Sequence, residues 1–117
     1  MSETSEKSAG AFQQLVRMLE EAVRAGADSV GLEREEGYLI LVHYRGCSGI
    51  SHGQLPKELE QALVDEIMNR AGLAHKPRGE VQIRLLGKDY NVVVDQRGDF
   101  DEPAFNILLK KSTRRRK

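Results

Sequence analysis

The chain has no tryptophan, one cysteine and only three prolines. A lone Cys47 cannot close an internal disulfide, which fits a reducing compartment. Aromatic residues make up 5% of the sequence, poor material for a flat cofactor pocket, and no cofactor is expected. No apolar run approaches the roughly 20 residues of a membrane-spanning helix. The Ser- and Glu-rich start has no apolar core of a signal peptide. A soluble, cytoplasmic chain is therefore expected. Neither sign of charge dominates: eighteen basic residues balance eighteen acidic ones. That balance excludes a surface built wholly for nucleic acid. There is also no Gly-x-x-x-x-Gly-Lys-Ser/Thr run, hence no loop of backbone N–H groups to cradle phosphates. ATP hydrolysis by this chain alone is not expected.

What remains suffices for one core. A chain of 117 residues buries roughly two-thirds of the surface it exposes when unfolded, without metals or disulfides. Residues 1–10 offer nothing to bury and read as a disordered lead-in. Phe12, Leu15, Val16, Leu19, Ala22 and Val23 fall at helical spacing, and Gly26 stands where a left-handed residue ends a helix. Val30 and Leu32 alternate with polar neighbours as in a short strand. Glu35-Glu36-Gly37 turns the chain into a second strand, Tyr38 to Arg45. There Tyr38, Ile40, Val42 and Tyr44 share one face, with Leu39, Leu41, His43 and Arg45 on the other. Both faces are expected to be partly covered.

Gly46 to Gly53 reads as a loop. Pro56 suits the first turn of a helix carrying Leu59, Ala62, Leu63, Ile67 and Ala71, closed by Gly72. Pro77 and Gly79 punctuate a further loop. Val81, Ile83 and Leu85, then Tyr90, Val92 and Val94, alternate around a turn at Gly87-Lys88, the clearest hairpin in the chain. A polar loop, Gln96 to Pro103, leads to a last strand with Phe105, Ile107 and Leu109. The order is α-β-β-α-β-β-β. It implies an α+β fold, a mainly antiparallel sheet with two helices on one face. Residues 11–110 form one domain, and 111–117 a flexible basic tail.

The run Gly26-Ala27-Asp28-Ser29-Val30-Gly31-Leu32-Glu33, the Leu55-Pro56-led helix closing in Ala71-Gly72-Leu73, and the Val81 to Asp95 hairpin resemble one family in order and spacing. They are similar to the domain that precedes the motor in type II secretion and type IV pilus ATPases. The resemblance covers Phe12 to Lys110 and implies a PAS-like fold that packs against the motor half of a neighbouring subunit. It also places Lys117 near the point where the motor half would begin. The departures fall on functional positions. Gly31 stands where the family carries His, Gly46-Cys47-Ser48-Gly49 replaces an Asp-Gly turn, and Ala74 to Gly79 is a shortened loop. Val93 takes the place of an arginine that the family uses to reach nucleotide phosphates across the subunit boundary. Valine cannot neutralise phosphate charge. The scaffold positions persist while the motor-serving ones have changed.

Two readings of function follow. One is a non-catalytic protein-interaction or regulatory module, whose partner is a secretion or pilus ATPase or a second copy. Its candidate contacts are Cys47 and His52 in the first loop, Lys76 and Arg78 in the second, and Phe105 on a last strand, Ala104 to Leu109, expected at the sheet edge. The other is a nucleic-acid-associated protein acting through its tail, with Lys110, Lys111, Arg114, Arg115, Arg116 and Lys117 as candidate anion contacts for nucleic acid or anionic lipid. No aromatic residue interleaves with these charges to stack on bases. A PAS-like sensor holding a small ligand between helices and sheet is a third, weaker idea. Cys47 beside His43 or His52 lacks an orienting third residue for nucleophilic chemistry. The three histidines lack metal-ligand spacing. Asp99, Asp101 and Glu102 lack the oxygen-ligand pattern of a calcium loop.

Overall fold

Hairpin turns organise the sheet. At Glu36-Gly37 and at Leu86-Gly87 both central residues take positive φ, the two-residue geometry whose twist matches that of the strands it joins. The second turn thus lies one residue earlier than Gly87-Lys88, and Leu85 pairs with Lys88 across it. The N–H of Leu86 is held by the Glu20 carboxylate of the first helix, at 3.0 Å. The computed structural model describes residues 3–98 and 102–112, with side chains from residue 10 onward.

The elements are α1 (Glu3–Arg24), β1 (Ser29–Glu35), β2 (Tyr38–Arg45), β3 (Ser48–Gln54), α2 (Lys57–Ala71), β4 (Arg78–Leu85), β5 (Lys88–Gly98) and β6 (Pro103–Lys111). The α+β class holds: two helices and one six-stranded sheet, ordered β3-β2-β1-β6-β5-β4, with every neighbour antiparallel. Three expectations change. The helix begins at Glu3 rather than after the first ten residues, since Glu, Lys and Ala favour helix and no proline interrupts. A third strand, β3, occupies the expected loop 46–53, and β6 is central rather than an edge, held between β1 and β5.

Both helices end as expected. Gly26 (φ 81°) and Gly72 (φ 66°) are left-handed. The N–H groups of Ala27 and Leu73 reach back to the carbonyls of Ala22 and Met68, at 2.9 and 3.0 Å. That six-residue closure satisfies carbonyls the helix leaves free. Leu15, Met18, Leu19 and Ala22 of α1 and Leu63, Val64 and Ile67 of α2 pack in one cluster. Their sheet partners are Val30, Leu32, Leu39, Leu41, Ile83, Leu85, Tyr90, Val92, Val94, Phe105 and Ile107. These are the inward positions the period-2 pattern predicts. Ile40, Val42 and Val93 are buried too, on the opposite face of the sheet from the helices.

Ion pairs pin α2 at its sides. Arg34 of β1 bonds the Glu60 carboxylate of α2 and, through Nε, the carbonyl of Pro103 at 3.0 Å. Arg70 pairs with Glu66 one turn back, and its guanidinium lies 3.6 Å from the centroid of the Phe12 ring. One α2 cation therefore reaches α1 as well.

Candidate interaction surface

The two edges of the sheet differ in kind. Edge β4 alternates Arg78, Glu80 and Arg84 on one face, and charge along an edge discourages strand pairing. Arg78 is further committed to Asp95 of β5 by a two-pronged contact, Nε–Oδ1 2.7 Å and Nη2–Oδ2 3.2 Å. The guanidinium holds the Asp95 carboxyl below its usual value, and the carboxylate raises Arg78 in return. Edge β3, Ser-Gly-Ile-Ser-His-Gly-Gln, carries no Asp, Glu, Lys or Arg, and all seven residues are exposed. Ile50 is 66% exposed, the most exposed large hydrophobic residue among those described.

Local chemistry explains how so weak a strand former is held. β3 follows β2 through the two-residue turn Gly46-Cys47, with Arg45 opposite Ser48, Tyr44 opposite Gly49, His43 opposite Ile50 and Val42 opposite Ser51. The turn itself is anchored. Gly46 N–H donates to Asp28 Oδ2 at 2.7 Å, and Asp28 N–H donates to the Tyr44 carbonyl at 2.7 Å. Arg45 donates to the carbonyls of Ala25 and Gly26, at 3.1 and 3.3 Å, just past the C-terminus of α1. A cation there complements the partial negative charge of the helix end. The Tyr44 hydroxyl donates to the Glu33 carboxylate, which raises the tyrosine pKa, chiefly through that hydrogen bond. A shift in register between Ile40 and Val42 ends the regular ladder.

A cavity of about 440 Å³ opens beside β3, lined by Ala25, Ala27, His43, Tyr44, Ile50 and His52 among others. His43 is 7% exposed, and neither of its ring nitrogens has a hydrogen-bond partner among the described residues. Its neighbour is the His52 ring, centroid 3.9 Å away at 40°. Burial depresses the His43 pKa first and the nearby His52 second, against an opposing pull from Glu21. Folding therefore releases a proton near the ordinary histidine value of about 6.5. The unfolded chain binds that proton more readily, so stability should fall as pH drops from about 6.5 towards the folded-state value. The slope from this one group is at most about 1.4 kcal/mol per pH unit. Urea unfolding at pH 7.5 and pH 5.0 should show the loss, and His43→Leu should flatten it.

The sequence-predicted contact residues separate. Cys47 and His52 are exposed on one hairpin, at the β2–β3 turn and on β3. Lys76 is exposed ahead of β4, at the other edge, and Arg78 opens that strand. Phe105 is 1% exposed on central β6 and belongs to the core, not to a contact surface. Lys110 and Lys111 are exposed at the end of β6. Arg114, Arg115, Arg116 and Lys117 lie outside the described residues, as do Asp99 and Asp101. Among the described residues no helix is long and apolar enough to cross a membrane, and no three His, Cys, Asp or Glu side chains group to hold a metal ion. Ile50 lies within the Cys47 to His52 loop that the sequence offers as a contact surface, but neither it nor Arg45 stands out there as a functional residue. The available clue was a lone isoleucine in a polar run, two residues beyond a Gly-led turn. Compared with known proteins, the chain matches no family model and no curated protein.

Proposed function

We propose that this domain is a non-catalytic protein-interaction module, a relative of the N-domain of secretion and pilus ATPases, that works by accepting a strand along β3. The observation that carries this reading is the asymmetry of the edges: β4 is charged, and β3 is neutral, fully exposed and tipped with Ile50. Strand addition draws affinity from backbone hydrogen bonds and specificity from alternate side chains. Ile50 and His52, beside the cavity that His43 walls, supply that specificity. In keeping with the family resemblance, the partner is the motor half of such an ATPase or another copy of the chain, in the cytoplasm. Titrating the ¹⁵N-labelled protein with a purified pilus-ATPase motor half should move the amide resonances of residues 48–52. Shifts confined to the β4 side, or none at all, would remove the motor half as partner.

A second reading rests on Lys110 and Lys111, which make no ion pair among the described residues. They lead into the tail and form the base of an anion-binding segment for nucleic acid or anionic lipid. Retention on heparin should weaken steeply with salt and disappear when residues 112–117 are deleted. Retention that ignores salt would dismiss it.

A further inference from the structure

We propose that two copies of this chain join through their β3 edges, antiparallel, about a twofold axis at Ser51. The inference rests on β3 being the interaction edge and goes on to name what occupies it. Hydrogen-bonding direction alternates along an antiparallel strand. Across the two-residue turn, Arg45 and Ser48 form a hydrogen-bonded pair, and so do His43 and Ile50 two residues on. The backbone groups of Gly49 and Ser51 therefore point away from β2, towards the free edge. Tyr44 agrees: its carbonyl accepts from Asp28, on the β1 side, so its pairing with Gly49 is the open one.

A strand offering Gly49 and Ser51 outward is complementary to its own reverse. With the axis at Ser51, that residue meets its symmetry mate and exchanges two backbone hydrogen bonds with it. Ile50 then lies opposite His52 of the partner subunit, and His52 opposite Ile50 of the partner subunit. Each exposed isoleucine thus covers the imidazole that lies tilted against buried His43, at the mouth of the partner's cavity. No carboxylate, ammonium or guanidinium lies on β3, so the strand meets its own copy without like-charge repulsion. The same self-pairing of β4 would bring a charged strand against itself, and β4 is not proposed. Gly53, with φ 94°, bends the chain beyond His52 and limits the paired segment to about five residues. So short a seam falls below the area of a stable obligate dimer, and a dissociation constant on the order of 10–100 µM is expected.

Sedimentation equilibrium from about 10 µM to 1 mM should show a concentration-dependent monomer–dimer transition. Ile50→Lys should weaken it at least tenfold, while Gln82→Lys on β4 should leave it unchanged. A second pair of variants reads register even if Ile50→Lys does not fold. In a Cys47→Ser background, Ser51→Cys should oxidise readily to a covalent dimer, and Ser48→Cys should not, because the axis sets it against Gln54 of the partner subunit. A protein that stays monomeric at the highest concentration overturns the proposal, and so does faster cross-linking at 48 than at 51. If the chain is monomeric yet a motor half still shifts residues 48–52, the dimer alone has failed. If neither occurs, the strand-addition reading fails with it.

Discussion

Replacing Phe105 with alanine should cost the domain roughly 3–5 kcal/mol, the range for removing a large aromatic side chain from a packed interior. Phe105 is the largest of the fully buried side chains, on a strand hydrogen-bonded on both sides. It shares the core cluster with Val30, Leu32, Val94 and Ile107, all on strands that cannot move inward without breaking ladder bonds, and Leu32 is its partner across the β1–β6 ladder. The cavity would therefore persist, and the cost should sit near the upper end. Domains of this size typically have about 5–15 kcal/mol to lose, so a loss near the upper end would remove roughly a third or more of the stability. Denaturant unfolding measures the loss directly. Were Phe105 instead a contact residue, as its sequence position suggested, Phe105→Ala would weaken partner binding with little change in the unfolding midpoint.

Gly79→Ala is expected to cost about 3 kcal/mol or more, for a different reason. Gly79 faces the helices from β4, and a Cβ there would clash with both the oxygen and the carbon of the Ala71 carbonyl. Backbone, not a movable side chain, occupies the space. Relief requires α2 to lift at its C-terminus or β4 to slide against Val94, its partner in the ladder. Overpacking of this kind commonly costs 1–3 kcal/mol and exceeds that when the obstacle is main chain. A fall in Tm of about 10–20 °C should result. Gly10→Ala makes the matched control. That glycine lies within α1 with nothing near its Cβ position, so the substitution should gain about 0.5–1 kcal/mol. A Gly79→Ala protein as stable as the parent would mean that α2 does not rest on β4 as described.

These two residues mark the limit of sequence legibility. Phe105 was recognisable as a strand residue, because Phe105, Ile107 and Leu109 alternate with polar neighbours. Nothing local shows whether such a strand closes an edge or is inserted between two others. Insertion follows from β6 pairing with Ser29–Leu32 of β1, more than seventy residues earlier. Gly79 read as loop punctuation, because a glycine's lack of a side chain looks the same in a turn and in a close crossing. β3 was missed for a related reason. Ser, Gly and His have little strand preference of their own, and such preference mostly reflects packing against neighbours. Anchoring of the Gly46-Cys47 turn by Asp28, with the pairing to β2, supplies what the residues lack.

The sequence by itself determined the inward-facing positions of β1, β2, β4, β5 and β6, the two helix ends at Gly26 and Gly72, and the α+β class. Each of these depends on spacing within a few residues, where side-chain periodicity and backbone preference act. Of the helix stripes it marked Leu15, Leu19, Ala22, Leu63, Ile67 and Ala71 but not Met18 or Val64, while Leu59 and Ala62 stay outside the core. Only the tertiary structure decided which strands are edges, that β3 exists, and that His43, Ile50 and His52 gather beside one of those edges. Edges are set by which distant segments satisfy each other's backbone hydrogen bonds, and that choice belongs to the folded chain as a whole.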